Sequence, residues 1–168
     1  QKFDSNGKFL ATWGSSGYGL VEFNYPVGIC VDGVGNVYVT DTENSRVSKF
    51  SSAGIFLMRV GVPGPYNYYN PYALSIDNVG NIYIADSGNN RILKYTSDGI
   101  FVTEWGSYGI KAGQFNRPDG VCADDFGNVY VADMRNDRIQ KFNSEGIFLD
   151  SWGWSGTGPG EFDYPSDV

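Results

Sequence analysis

The sequence predicts an all-β fold of repeated four-stranded antiparallel units, the architecture of a β-propeller. A segment patterned as two β-strands occurs three times, at residues 36–50, 81–95 and 128–142. Four prolines, Pro26, Pro71, Pro118 and Pro165, mark the repeat with spacings of 45, 47 and 47 residues, a length typical of propeller blades. No stretch of useful length has helical periodicity.

Each unit begins with a short apolar strand directly after its proline. We expect these strands at residues 27–32, 72–77 and 119–124, each followed by a turn that ends in Gly-Asn. Both residue types suit the positive φ values of tight hairpin turns. The second strands, at 37–40, 82–85 and 129–132, are apolar on both faces, which indicates sheets that are covered on both sides.

The third strand of each unit runs from an arginine to an aromatic residue, at 46–50, 91–95 and 138–142. After a glycine turn, the fourth strand carries two large apolar residues four positions apart, hence on one face. These pairs are Phe56 and Val60, Phe101 and Trp105, and Phe148 and Trp152, with Phe9 and Trp13 ahead of the first complete unit. Four antiparallel strands per unit favour a propeller over the alternative, a linear β-solenoid.

The whole chain, residues 1–168, is expected to form one propeller segment. Blade units are predicted at about 26–60, 71–107 and 118–154, with partial blades at 1–14 and 165–168. The chain then holds about three and a half blades, whereas closed propellers have four to eight. Three explanations stay open: a longer polypeptide, a ring completed by several chains, or an open assembly in which blades stack from chain to chain. Exposed blade faces argue against an isolated monomer in every case.

These repeats closely resemble the NHL repeat family. The family pattern is a proline, a short apolar strand ending in Asp, Gly-Asn, Val-Tyr-Val-Ala-Asp, then Asn-x-Arg-Ile and an aromatic residue, and residues 128–142 match it almost letter for letter. The resemblance covers the whole chain and implies a ring of usually six blades, of which this chain is a part. Propellers of this resemblance include a zinc-dependent amidating lyase with histidine ligands, and some NHL propellers bind RNA through a basic face.

The composition argues against both of these activities. The chain has no histidine, so no histidine-bound zinc or histidine general base can form within it. Its formal charge of −7 disfavours binding to nucleic-acid phosphates. No apolar run is long enough to predict a membrane-spanning helix, and no Gly-x-Ser-x-Gly nucleophile motif is present. We expect no catalytic residues, no cofactor and no nucleic-acid partner.

Charged residues recur at the same positions in every repeat. We interpret them as structural, because a position needed in every blade serves every blade and buried charges are usually paired. The first strands end in Asp32, Asp77 and Asp124. Calcium needs six to eight oxygen ligands, so only the third turn, with Asp124 and Asp125, is considered as a weak calcium site. The structural positions are Asp41, Asp86, Asp133, Arg46, Arg91 and Arg138.

Two cysteines, Cys30 and Cys122, occupy equivalent positions in the first and third repeats. Disulfides usually join neighbouring elements, whereas these positions lie two repeats apart. We therefore expect two buried thiols, with a bridge between chains as the alternative.

The connectors between repeats, residues 14–25, 61–70, 106–117 and 153–164, are the least repetitive segments. In a propeller such connectors gather on one face, where Tyr and Trp offer large contact areas with a polar group. Packing over the ends of neighbouring blades is the alternative role for these rings. The candidate binding surface comprises Tyr18, Tyr25, Tyr66, Tyr68, Tyr69, Tyr72, Tyr108, Trp154 and Tyr164.

The sequence thus predicts a non-catalytic propeller scaffold that mediates protein–protein interaction or self-assembly. Its expected partner is a protein, either other copies of the chain or the remaining blades of a longer one. The alternative is part of a larger extracellular propeller enzyme or carbohydrate-binding protein whose active residues lie outside this chain. Connectors rich in Tyr, Gly and Ser, with few lysines, favour an extracellular or cell-surface location.

Overall fold

The predicted all-β propeller fold is confirmed. The computed structural model describes residues 1–60 and 70–168, which form strands and short 3₁₀ turns. The N-terminal hairpin pairs β1 (Lys2–Phe3) with β2 (Phe9–Ala11), and β3 (Ser15–Ser16) runs parallel to β4 (Glu22–Phe23). Strand β2 ends two residues before Trp13, earlier than the sequence predicted.

Three four-stranded antiparallel blades follow, each with its strands in chain order across the sheet. The first blade comprises β5 (Pro26–Val31), β6 (Val37–Asp41), β7 (Arg46–Phe50) and β8 (Phe56–Val60). The second comprises β9 (Pro71–Ile76), β10 (Ile82–Asp86), β11 (Arg91–Tyr95) and β12 (Phe101–Trp105). The third comprises β13 (Pro118–Ala123), β14 (Asn128–Asp133), β15 (Arg138–Asn143) and β16 (Phe148–Trp152).

The strand bounds differ from the predicted ones in two systematic ways. Each first strand begins at its proline and stops before the aspartate, because that aspartate starts the following turn. Each second strand extends to the repeated aspartate, which pairs with the proline of the first strand, as Asp41 does with Pro26. A 3₁₀ turn then leads into the third strand, at Thr42–Asn44, Ser87–Asn89 and Met134–Asn136.

The turn between the first two strands is organised by the side chain of its aspartate. Oδ1 of Asp124 accepts hydrogen bonds from the backbone N–H groups of Phe126 and Asn128, at 2.9 and 2.8 Å. Its Oδ2 accepts from the side chains of Asn128 and Tyr130, and these bonds, the Asn128 amide foremost, lower the pKa of Asp124. Asp32 and Asp77 make the same contacts, so both oxygens of each carboxylate serve the turn.

Apolar side chains between adjacent blades form the core, as two-faced strands require. One cluster joins the first and second blades, and another joins the second and third. The innermost strands approach closely: a Cβ at Gly28 would lie 2.8 Å from the carbonyl oxygen of Tyr72 in the next blade. On the opposite side of the first blade, a third cluster packs Trp13, Phe23 and Phe56 against Val37, Val39 and Phe50. Ile29 and Val31 are exposed, so the innermost strand of this blade keeps apolar side chains open to solvent.

The cysteines are free thiols. Both are half-buried, so the expectation of buried thiols is wrong in degree. Burial, followed by the nearby Asp32 carboxylate, raises the pKa of Cys30 to about 12. Cys30 is therefore a weak nucleophile at neutral pH. Within the described ranges, no helix has the length and apolar character needed to cross a membrane.

Candidate binding surface on the connector face

All described connectors reach the blades at the same end of the strands. The first strand of each blade starts beside the end of the second strand, where Pro26 pairs with Asp41, Pro71 with Asp86 and Pro118 with Asp133. The 3₁₀ turns lie at this same end. We call this side of the molecule the connector face, formed by residues 14–25, 106–117 and 153–164 and by the turns at 42–45, 87–90 and 134–137.

A buried charge pair holds the first connector onto the first blade. Asp41 is fully buried; its Oδ1 accepts from the backbone N–H of Asn24 at 2.6 Å, and its Oδ2 accepts from Nε of Arg46 at 2.7 Å. Nη2 of Arg46 donates to the carbonyl oxygens of Gly19 and Glu22, both at 2.6 Å. Charge-assisted bonds of this kind are about twice as strong as neutral ones, so the loop is firmly fixed.

The third blade repeats this arrangement. Asp133 accepts from the backbone N–H of Asn116 at 2.7 Å and from Nε of Arg138 at 2.7 Å. Arg138 also donates to the carbonyl oxygens of Ile110, Lys111 and Gln114, at 2.8 to 2.9 Å. The sequence could indicate the pairing but not these connector carbonyls, which lie 24 to 28 residues away along the chain.

In the second blade, Asp86 is fully buried and accepts from the backbone N–H of Asn70 at 2.9 Å and from Nε of Arg91 at 2.8 Å. Nη1 of Arg91 donates to Glu104 at 2.9 Å. The charged pair thus has the same core geometry in all three blades.

Each described connector also closes on itself. Tyr108 and Phe115 form a parallel bridge, as do Ser155 and Phe162, matching the pairing of β3 with β4. The connector phenylalanine lies under the loop, and the ring centroid of Phe115 is 5.6 Å from that of Phe142. The connectors at 14–25 and 106–117 are therefore held both by packing of their phenylalanine and by hydrogen bonds to the charged pair of the following blade.

The candidate aromatic residues are mostly exposed on these anchored loops. Tyr18 is 77% exposed, Tyr108 72% and Trp154 61%. Tyr25 and Tyr164 are exposed to a similar degree. Tyr72 is half-buried, and the guanidinium carbon of Arg117 lies 5.7 Å from its ring centroid. Tyr66, Tyr68 and Tyr69 lie outside the described residues.

Trp154 is additionally oriented by a hydrogen bond. Its indole Nε1 donates to Oε1 of Glu161 at 3.0 Å, and the backbone N–H of Gly158 donates to Oε2 at 2.7 Å. These bonds, that of Gly158 first, lower the pKa of the Glu161 carboxyl group. The indole ring is thus both exposed and held in place.

Three bulky residues on the connector face adopt left-handed backbone conformations directly before a proline. Tyr25, Arg117 and Tyr164 have φ values of 56°, 59° and 53°. Such values are uncommon outside glycine, and the helical regions are disfavoured before proline. The N–H of Arg117 donates to Asn90 of the preceding blade at 2.8 Å. Sequence reasoning missed these conformations, because no residue type at these positions indicates them.

A polar cavity of about 460 Å³ opens on the connector face between the second and third blades. The sequence indicated only Tyr72 and Tyr108 among its residues. The carboxamides and arginines around them come from the connectors, at Asn70, Asn116 and Arg117, and from the 3₁₀ turns, at Asn90 and Arg135. The lining comprises Asn70, Tyr72, Ser87, Gly88, Asn90, Tyr108, Asn116, Arg117 and Arg135.

The described residues, 1–60 and 70–168, bring together no group of three or more His, Cys, Asp or Glu that could hold a metal ion. At the third turn, both oxygens of Asp124 already accept hydrogen bonds. The predicted weak calcium site therefore gains no support from this geometry.

The fold and the connector face define a β-propeller segment with four-stranded blades. The family model of the NHL repeat matches residues 23–50 and 115–142, which cover the end of the incoming connector and the first three strands of the first and third blades. The chain thus contains NHL repeats at two positions, which supports the NHL-repeat β-propeller family. A comparison with curated protein sequences found no significant match.

Solved structures with similar folds include both enzymes and proteins of unknown function. Streptogramin B lyase superposes with a TM-score of 0.66 at 24% identity, over 84% of this chain and 43% of that one. Virginiamycin B lyase from Staphylococcus aureus gives 0.65 at 22% identity, over 84% and 44%. A Bacteroides thetaiotaomicron protein of unknown function gives 0.68 at 19% identity, over 84% and 41%. The chain spans less than half of each, and identities this low show the fold alone.

Proposed function

We propose that this chain is a non-catalytic propeller scaffold that binds a partner protein through its connector face. The observation that carries the proposal is the pairing of exposed aromatic rings with fixed loops. Tyr and Trp offer a large contact area at low conformational cost. Loops that are already ordered lose little conformational entropy on binding, so a partner can bind this surface at low entropic cost.

The structurally similar lyases are the main argument for an enzyme. One of them is a catalytically inactive histidine-to-alanine variant of virginiamycin B lyase from Staphylococcus aureus with quinupristin. This chain contains no histidine, so in our proposal its residues supply a scaffold and a contact surface. The partner protein includes a second copy of the chain as one candidate.

The test compares wild type with two variants, a connector variant and a control variant, after thermal melts have shown that all three proteins are equally stable. The connector variant carries Tyr18→Ser, Trp154→Ser and Tyr164→Ser, which remove exposed rings without touching the polar cavity. The control variant carries Val34→Ser, Val79→Ser and Phe126→Ser, whose side chains are also exposed but lie in the turns at the opposite end of the blades. Both variants therefore lose apolar surface, on opposite faces.

Proteins captured from a native extract are quantified for all three, and sedimentation velocity measures self-association. We expect a partner that wild type and control retain and the connector variant loses. The purified partner, or the chain itself, should then bind the connector variant at least about tenfold more weakly, a difference of about 1.4 kcal/mol. Identical capture and identical sedimentation for the three proteins would overturn the proposal.

A further inference from the structure

The second blade departs from the repeat at residues that line the polar cavity between the second and third blades. In the first and third blades, Tyr25 and Arg117 separate the proline from the asparagine whose N–H binds the blade's aspartate. In the second blade, Asn70 makes that contact with Asp86 and directly precedes Pro71. In the second blade no residue therefore stands between this asparagine and the proline, and Asn70 itself lines the cavity.

A second departure enlarges the same space. The middle residue of the 3₁₀ turn is Glu43 in the first blade and Arg135 in the third, but Gly88 in the second. A Cβ at Gly88 would lie 3.0 Å from Cβ of Asn70. Both changes remove side-chain volume at one place, which distinguishes the second blade from its neighbours.

Among the described residues, the lining of this cavity is rich in hydrogen-bond donors and holds no carboxylate. Nε of Arg117 lies 3.2 Å from Asp119 and its guanidinium carbon lies 5.7 Å from the ring centroid of Tyr72, while its terminal amino groups donate no hydrogen bond within the described residues. Oδ1 of Asn90 accepts from the N–H of Arg117, so its amide nitrogen is left to donate. Exposed Arg135 adds a second positive charge, and the phenols of Tyr72 and Tyr108 add further donors.

We propose that this cavity binds carboxylate side chains of an acidic segment in the partner protein. This inference rests on the proposed function and names the chemistry of the contact. The planar guanidinium group matches a carboxylate with two parallel hydrogen bonds. The volume falls in the range of ligand pockets, about 300–1,000 Å³. Charges elsewhere on this acidic protein are screened beyond about 8 Å at physiological salt, so contacts within the cavity decide binding.

The experiment measures fluorescence anisotropy of a fluorescein-labelled hexaglutamate peptide with the full chain. Hexaglutamine, of the same length and without charge, is the peptide control, and succinate is the free small-carboxylate competitor. Arg135→Gln removes one cavity charge from an exposed side chain. Lys111→Gln is its match, because Lys111 is exposed, lies on the connector face and does not line the cavity.

We expect hexaglutamate to bind and hexaglutamine not to bind. Arg135→Gln should weaken hexaglutamate binding about tenfold, as loss of one charge-assisted hydrogen bond requires, and Lys111→Gln less than about twofold, as for an exposed charge outside the site. Equal weakening by both substitutions, or equal binding of both peptides, would overturn the proposal. Displacement by succinate as efficient as by unlabelled hexaglutamate would overturn the assignment to a protein segment.

The two proposals fail separately. If the connector variant loses its partner while hexaglutamate does not bind, the binding face stands and the carboxylate assignment is wrong. If hexaglutamate binds in the predicted way while capture is unaffected by the connector variant, the cavity stands and the aromatic contact surface is wrong.

Discussion

The two interfaces between blades use the same backbone repeat but different side chains. The interface between the first and second blades has two aromatic side chains, Tyr38 and Tyr95, and the interface between the second and third blades has five, Tyr83, Trp105, Phe115, Phe142 and Phe148. At matched positions, Val60 of the first interface corresponds to Trp105 of the second, and Tyr95 corresponds to Phe142. Blade packing thus depends on filling a volume, and different sets of side chains can fill it.

The smaller volume of Val60, compared with Trp105, is compensated by another side chain of the same strand. In the second interface, the indole of Trp105 packs against the turn glycine of the next blade, Gly146. In the first interface the residue at that strand position is only a valine, and Met58 from the same strand packs against the matching glycine, Gly99. A flexible methionine therefore occupies the space that the tryptophan fills in the neighbouring interface.

The largest expected effect comes from truncating the ring at the centre of the aromatic group in the interface between the second and third blades. Phe142 is fully buried, and its ring centroid lies 5.6 to 5.9 Å from those of Trp105, Phe115 and Phe148. Phe142→Ala should lower the free energy of unfolding by about 3–5 kcal/mol, measured by urea denaturation. Tyr95→Ala is the matched control, with one ring neighbour, Phe101, among the described residues. It should lose at least about 1 kcal/mol less, because each aromatic pair adds about 0.5–1.5 kcal/mol. Equal losses would show that the two interfaces are energetically alike.

Exchanging the matched residues Trp105 and Val60 should have the next largest effect on the free energy of unfolding. Trp105→Val is expected to cost about 2–4 kcal/mol, because the cavity it leaves has no methionine to fill it. Val60→Trp should cost about 1–3 kcal/mol by overpacking beside Met58. Trp105→Phe should cost less than Trp105→Val, since the buried indole nitrogen has no hydrogen-bond partner among the described residues and its desolvation is relieved. A Trp105→Val variant as stable as wild type would contradict this account of the second interface.

The sequence predicts the repeated part of this molecule well and the individual part poorly. Prolines, Gly-Asn turns and two-faced strands locate nearly every strand, because these signals are local. Arg138 donates to the carbonyl oxygens of Ile110 and Gln114, which are far from it along the chain. The repeat pattern therefore indicates the arginine but not its carbonyl partners. Near the cavity the sequence differs from the other repeats in its spacing, 45 rather than 47 residues between Pro26 and Pro71, and in Gly88. The contact of Asn70 with Asp86 is not visible in that pattern.

The smallest expected effect on stability comes from two lysines, one at each interface, that donate to a carbonyl oxygen of the next blade. Nζ of Lys94 donates to the carbonyl oxygen of Ser144 at 2.8 Å, whereas Nζ of Lys49 donates to that of Ser97 at 3.3 Å. Methionine keeps most of the apolar stem, so substitution tests the ammonium group. Lys94→Met should cost about 1.5 kcal/mol, as for a bond to a charged group, and Lys49→Met about half of that.

Lys49 has one further interaction that the same measurement can separate. Its Nζ lies 3.9 Å from Oδ2 of Asp32, and both side chains are 13% exposed. An ion pair in contact with water is weakened by salt. Denaturation in 1 M NaCl, where the Debye length is about 3 Å, should therefore shrink the deficit of Lys49→Met more than that of Lys94→Met. If both deficits shrink equally, the lysines act through general electrostatics, and the short bond across the second interface contributes nothing specific.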